Sequence, residues 1–335
     1  MAATIVIVVG LKYSVSVLLP VLVAVFLTVL TAPAVLWLER RRLPAWAAVV
    51  LVMVGLVAIV VLFGAVLSAA VRSFNDALPG YQRALTELVE TASGWMAGLP
   101  IDLSQGTSVE AFDPNAVLKM LASLFGGVLA ALKNAALVLI IVVFMLLEVA
   151  GFPRKFRAAL ADPKANLDRW STAAALVQRY LVIKTATSVA TGTLIALWLW
   201  WVGVDSPLLW GLVAFMLNYI PSVGSILAAV PALLVATVQP ELSFGSVVLT
   251  AAGYIAVNVA LGNILEPQLM GRRLGLSPLV VLLSLVFWGW VWGPFGMLLS
   301  VPLTMTVRIA LEQREDTRWI AVLLAPPPPT TTAMG

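Results

Sequence analysis

Glu266 is the acidic residue in this sequence that is best placed to bind an ion or a proton. It lies in a long and otherwise apolar part of the chain. No other acidic residue occurs between Glu241 and Glu312. A carboxylate in such surroundings can bind sodium, and burial would favour its protonated form, which would let it carry a proton. We therefore predict Glu266 as an ion-coupling residue. The alternative is that Glu266 pairs at the membrane interface with Arg272 or Arg273.

Uncharged polar side chains accompany this carboxylate in the second half of the sequence. Polar groups are costly in lipid, so within apolar runs they face other helices or a cavity. There, amides and hydroxyls can hydrogen-bond a small polar solute, but they can also cap broken helix ends or join two helices. We predict solute binding for the set Asn218, Ser222, Ser225, Asn258 and Asn263.

Two basic residues, Arg179 and Lys184, stand at the start of another apolar run. Basic residues concentrate on the cytoplasmic side of membrane proteins, which would explain both without any site. They could also pair with carboxylates or attract an anionic solute. We therefore keep them, together with Arg272 and Arg273, as electrostatic candidates.

The composition excludes several chemistries. The chain has no histidine and no cysteine, so it has no imidazole base, thiol nucleophile or cysteine–histidine metal site. The apolar runs hold no aspartate pair, and no nucleotide-binding loop is present. The net charge is +4, but the basic residues lie at the ends of apolar runs, which does not indicate nucleic-acid binding. We expect no enzyme, no cofactor and no metal.

The elements that must position these residues are long apolar helices. Hydrophobic residues make up 61% of the 335 residues and charged residues 11%, against roughly half and a quarter in soluble domains. A helix that crosses a bilayer needs about 20 apolar residues. Four charge-free runs meet this length: 13–38, 45–71, 185–204 and 242–265. We predict an all-α polytopic membrane protein with about six to eight membrane helices.

Two further uncharged runs, 206–240 and 274–307, are each interrupted near the middle by proline and glycine. Proline lacks a backbone donor and glycine permits tight turns. Each half has about 15 residues and would extend only ~22 Å, which is too short to cross the membrane. The pattern predicts two re-entrant helical hairpins. We assign to the solute site the five tip residues Pro221, Gly224, Gly293, Pro294 and Gly296.

The two interrupted runs also match each other. Ser206-Pro207 corresponds to Ser277-Pro278, and Val230-Pro231 corresponds to Val301-Pro302, with an offset of 71 residues in both cases. Serine before proline predicts a helix start with the serine as N-cap. One predicted span separates the runs, so the hairpins would enter from opposite faces as an inverted repeat. Such repeats with broken helices are typical of secondary transporters, whose site lies near the middle of the membrane.

Four motifs in the same region resemble those of a known family. Residues 217–224 resemble the N-x-I-P-x-x-G element of the autoinducer-2 exporter family of bacterial membrane permeases. Residues 263–271 resemble its N-x-x-x-P-x-x-M-G element and residues 276–284 its L-x-P-L-x-V-L-x-S element. Residues 293–302 resemble its closing G-x-x-G-M-x-x-x-V-P element. The four motifs follow one another in the family's order within 205–310.

The resemblance implies a homo-oligomeric transporter in the bacterial cytoplasmic membrane. It implies export of the signal autoinducer-2, or a similar small polar solute, and we expect alternating access. In other members it implies sodium(lithium)/proton antiport, for which Glu266 would be the coupled carboxylate. A membrane scaffold that transports nothing is a further alternative.

Charge patterning gives the orientation and the organisation of the chain. The segment 72–116 is rich in acidic residues, which places it outside, whereas the basic segment 150–184 and the arginines at 40–42 lie inside. The expected units are N-terminal membrane helices (1–71), an extracytoplasmic amphipathic helical segment (72–116), a membrane helix (117–150), a cytoplasmic amphipathic segment (151–176), a transport core (177–310) and a disordered tail (311–335).

Overall fold

The computed structural model describes residues 9–97, 135–149, 163–221, 223–270, 276–312 and 315–325. Within these ranges every regular element is a helix, which confirms the all-α fold. The helices are α1 (Val15–Arg40), α2 (Ala45–Ala97), α3 (Ala135–Val149), α4 (Pro163–Val202), α5 (Pro207–Leu217), α6 (Gly224–Val238), α7 (Phe244–Val257), α8 (Glu266–Met270), α9 (Pro278–Glu312) and α10 (Arg318–Leu324). A π-helical segment, Asn258–Leu265, joins α7 to α8.

The long helices have the length and the surface of membrane helices. Among the described residues, five helical stretches are long and apolar enough to cross a bilayer: Val15–Arg40, Ala45–Ala84, Ala174–Val202, Phe244–Met270 and Pro278–Glu312. Their apolar side chains face outward as well as inward. For example, Val54, Ile59 and Leu62 of α2 are 61%, 64% and 65% exposed. Such a surface needs lipid or another apolar surface around it. Because five of the helices are also long enough to cross a bilayer, the chain is a multi-pass membrane protein.

Helix α2 does not end at residue 71, where the first predicted unit ends. It continues as one helix to Ala97, past Arg72 and Pro79. A single arginine does not interrupt the backbone hydrogen bonds of a helix, so charge alone marks no helix end. The buried rings of Phe74 and Tyr81 attach this continuation to the α5 side of the bundle.

The first interrupted run forms a helical hairpin made of α5 and α6. The side chain of Gln239, just after α6, accepts the backbone N–H of Asp205 (3.0 Å) and donates to the carbonyl of Gly203 (3.1 Å), just before α5. The chain thus leaves the hairpin where it entered it. At the tip, a Cβ atom on Gly224 would overlap the carbonyl oxygen of Leu217, so this close return requires glycine.

The second interrupted run also folds back on itself, within α9. The helical backbone is broken at Trp292 and at Gly293, whose φ is +65°. Trp288, before the break, donates its indole N–H to the hydroxyl of Thr304, after the break, at 3.0 Å. Sixteen residues of straight helix would separate these two side chains by about 24 Å. At this tip too, a Cβ atom on Gly296 would overlap the carbonyl oxygen of Trp288.

The contacts of the two hairpins with α1 and with the residues just before it set their directions. The tip residue Tyr219 of the first hairpin packs on Phe26, with ring centroids 6.2 Å apart. In the second hairpin, Trp292 at the tip donates to the carbonyl of Leu11 (3.0 Å), while the open end packs near Phe26. Gln178 of α4 donates to the carbonyl of Val29 (2.9 Å), and Thr185 lies beside Tyr219, so α4 runs antiparallel to α1. It therefore brings Gly203, at the open end of the first hairpin, toward the Leu11 end of the bundle. The two hairpins therefore point in opposite directions along the bundle.

Two local expectations were wrong. Ser277 caps its helix by accepting the N–H of Val280 (3.3 Å), but Ser206 makes no side-chain cap, because its backbone is left-handed (φ 54°). The C-terminal segment is not disordered throughout, since α10 packs its buried Ala321 near Arg308, whose guanidinium donates to the Ala321 carbonyl (3.4 Å). The prolines from residue 326 onward lie outside the described residues.

Candidate functional site

Three parts of the chain enclose a polar cavity of about 360 Å³. They are the middle of α4, the tip of the first hairpin, and the π-helical segment with the start of α8. The cavity is lined by Lys184, Asn218, Ile220, Pro221, Ser225, Asn258, Gly262, Asn263 and Glu266. Seven of these nine were predicted from the sequence as solute, ion or electrostatic residues.

An ion pair forms the charged wall of this cavity. The ammonium of Lys184 donates to both carboxylate oxygens of Glu266, at 2.7 and 2.9 Å. The side chains are only 6% and 15% exposed. Charges withdrawn from water in this way must be paired, and the pair leaves the cavity without net charge from these two residues.

The pairing bears directly on the alternatives left open for Lys184. Lys184 is not a surface charge at the cytoplasmic side but a buried partner of a carboxylate. Glu266 accepts from Lys184 through both of its carboxylate oxygens. Arg272 and Arg273 themselves lie outside the described residues.

The tip of the first hairpin is fixed to α4 by two side-chain hydrogen bonds. The amide of Asn218 donates to the hydroxyl of Ser188 (3.0 Å), and the hydroxyl of Tyr219 donates to that of Thr185 (2.8 Å). Asn218 and Ser188 are both buried. Asn218 therefore positions the tip and keeps its amide oxygen for the cavity it lines.

The π-helical segment supplies the opposite wall. A π-helix is wider than an α-helix and occurs frequently at functional sites. Gly262 gives room for the side chain of Asn258, whose oxygen lies 2.9 Å from where a Cβ atom on that glycine would be. Neither Asn258 nor Asn263 has a side-chain hydrogen bond to another described residue, and both line the cavity. Their amides are thus available to a solute.

The cavity lies within the length of the bundle. Lys184 stands ten residues, about 15 Å, from the start of the candidate span Ala174–Val202 and about 27 Å from its end. Ser188, which holds the hairpin tip, is at the middle of the same span. A polar solute bound here would lie between the two ends of the membrane-crossing helix.

Other predicted site residues lie elsewhere. The exposed Arg179 donates to the carbonyl of Leu269 at 3.2 Å and does not line the cavity. Gly293, Pro294 and Gly296 belong to the second hairpin tip, which packs on the N-terminal part of the chain. Gly224 is buried in the turn of the first tip. Ser222 is outside the described residues.

Several neighbours of the site were missed from the sequence. Thr185 and Ser188 hold the hairpin tip, and Ser188 forms a buried polar stripe on α4 together with Lys184 and Thr191. Positions 184, 188 and 191 recur at helical spacing in an apolar span. That spacing is the signal that could have identified the stripe.

Comparison with known proteins decides the family. A family model described as AI-2E family transporter matches residues 1–315. The chain belongs to the AI-2E family of transporters. This membership confirms the resemblance carried by the four motifs and the expectation that the chain is not an enzyme.

Relatives of this AI-2E transporter cover nearly its whole length. The AI-2 transport protein TqsA of Escherichia coli (strain K12) is 40% identical over 316 residues, which are 94% of this chain and 91% of that protein. A putative transport protein of Haemophilus influenzae is 36% identical over 332 residues, 96% of this chain and 94% of that protein. Putative transport protein YhhT of Escherichia coli (strain K12) is 35% identical over 330 residues, 97% and 93%.

Proposed function

We propose that this AI-2E transporter exports a small polar solute of the autoinducer-2 type across the bacterial cytoplasmic membrane. The cavity between α4, the first hairpin tip and the π-helical segment would be the solute site. The observation that carries this proposal is the composition of that cavity, about 360 Å³ lined by three asparagines, a serine and a neutralised ion pair. Such a lining suits a small solute rich in hydroxyls and without net charge.

Alternating access would follow from the two hairpins. Two features support an inverted repeat within a transport core of residues 177–310. The hairpins point in opposite directions along the bundle, and each tip has a glycine, Gly224 or Gly296, that lies against a backbone carbonyl. In the membrane we expect both hairpins to be re-entrant, because α5 and α6 have only 11 and 15 residues. The core would move against α1, α2 and α3.

The test is release of autoinducer-2 from loaded proteoliposomes, with and without an imposed proton gradient. Asn258→Ala removes a cavity amide that holds no other described side chain. It should slow release about tenfold, as expected for one lost hydrogen bond of about 1.4 kcal/mol. Asn75→Ala, on an exposed position of α2, is the matched control and should release normally. Equal rates for the two variants would contradict the proposed site.

A second candidate is sodium(lithium)/proton antiport, favoured by the presence of Glu266 in the cavity wall. It predicts sodium-driven proton movement in proteoliposomes that is lost in Glu266→Gln. Protein that moves neither autoinducer-2 nor cations would instead support the scaffold alternative. We also propose a homo-oligomer, which light scattering of the purified protein in detergent can test.

A further inference from the structure

The ammonium of Lys184 stands where a bound cation would stand. It contacts both oxygens of Glu266, at 2.7 and 2.9 Å, which is how a carboxylate presents two oxygens to one monovalent ion. The surrounding cavity offers further oxygen ligands from the amides of Asn218, Asn258 and Asn263. Hard cations bind oxygen ligands of these kinds.

The cation is held in place by the protein itself. Lys184 is only 4% exposed, and its own backbone carbonyl accepts a hydrogen bond from the hydroxyl of Thr187 (3.1 Å) within α4. A buried ammonium that left Glu266 would stand unpaired, which is strongly unfavourable. No other charged residue lines the cavity in the part of the chain that the structure describes.

We infer that Lys184 is a tethered counter-cation of Glu266, which occupies the site that a sodium or lithium ion would otherwise take. Solute binding in this cavity then needs no alkali cation, and Lys184 is the residue that determines this ion independence. The inference rests on the proposed function in so far as the cavity is the solute site.

Replacing the lysine should convert the same carboxylate into a cation site. In Lys184→Met the side chain is one atom shorter, so the position of the ammonium becomes free while the aliphatic packing is kept. Glu266 and the neighbouring amides would then bind sodium or lithium.

The experiment follows thermal unfolding of the detergent-solubilised full chain in sodium, lithium or choline chloride at constant ionic strength. For the wild type we expect the same midpoint in all three salts. Lys184→Met should show a saturable rise of roughly 5 °C in sodium over choline. Lys184→Met combined with Glu266→Gln should lose the rise, and Lys12→Met, a lysine that lies over the Trp290 ring, is the matched control.

Two results would overturn the inference. One is a saturable sodium effect on the wild type that disappears in Glu266→Gln, since sodium would then displace the lysine. The other is folded Lys184→Met without any cation effect. If Lys184→Met does not fold, the wild type and Glu266→Gln still test the inference. A wild-type unfolding midpoint that is the same in sodium, lithium and choline chloride supports the tethered cation. Failure to release autoinducer-2 is measured separately and would contradict only the proposed solute.

Discussion

The hydroxyl of Tyr81 donates a hydrogen bond of 2.8 Å to the carboxylate of Asp205, which connects α2 to the open end of the first hairpin. Asp205 is held by two other contacts. Its N–H binds the side chain of Gln239, and its carbonyl accepts the indole N–H of Trp210 (2.9 Å). Near it, the hydroxyls of Ser73 and Ser206 lie 3.3 Å apart. This network, the Asp205 clamp, joins α2 to the open end of the first hairpin.

Loss of the tyrosine hydroxyl should weaken the Asp205 clamp. Tyr81→Phe keeps the buried ring and removes a hydrogen bond to a carboxylate, so it should lower the free energy of unfolding by about 1.5–3 kcal/mol. Thermal and denaturant unfolding in detergent would measure this loss. Tyr13→Phe, at a position 85% exposed, is the matched control and should change it by less than about 0.5 kcal/mol.

A double-mutant cycle identifies the interaction behind that loss. Tyr81→Phe and Asp205→Asn should be non-additive, because both changes disturb the same hydrogen bond. If the two effects simply add, the Asp205 clamp does not depend on this contact.

The tip glycines should be far less tolerant of alanine than glycines in open positions. In Gly224→Ala or Gly296→Ala the new methyl group would overlap a backbone carbonyl, so we expect a loss of about 1–3 kcal/mol or more. Gly80 on α2 has no atom near its Cβ position, so Gly80→Ala should instead stabilise by about 0.5–1 kcal/mol. The unfolding midpoints of the three variants measure whether alanine destabilises at the tips and stabilises at Gly80. Equal changes in midpoint at all three positions would contradict the tight hairpin turns.

The sequence was sufficient to predict the helices and both chain reversals, because apolar run length and proline–glycine interruptions are local signals. It also predicted most of the cavity lining, since polar residues are few in apolar runs and must face something polar. Asn218, Asn258 and Asn263 were found in this way.

The sequence did not reveal two kinds of feature: contacts between residues that are distant along the chain, and the width of a helix. Lys184 and Glu266 are 82 positions apart, and no local pattern says that they meet. The π-helical segment keeps an apolar composition, so periodicity does not distinguish it from an α-helix. Ser206 has the same sequence signature as Ser277, yet its left-handed backbone is set by the turn that follows Gly203.

Substitutions in the buried ion pair should have strongly non-additive effects on the free energy of unfolding. Lys184→Met or Glu266→Gln alone leaves one charge without its partner, which should cost about 3–5 kcal/mol of unfolding free energy. The double variant removes both charges and should recover most of that loss. Unfolding of the four proteins in choline chloride measures the cycle without any added alkali cation. A double variant as unstable as the sum of the single ones would show that the pair is not coupled.

Cysteine labelling can test whether the cavity is reached by water. The native chain has no cysteine, so each introduced thiol reports on one position. Ser225→Cys, in the cavity wall, should react in proteoliposomes with a small charged thiol reagent, and saturating autoinducer-2 should slow the reaction. Val54→Cys, exposed on the apolar face of α2, is the control and should react only with a membrane-soluble reagent. Two results would contradict the assignment of this cavity as the transport site. One is that Ser225→Cys is not labelled from either side of the membrane, and the other is that autoinducer-2 does not change its labelling rate.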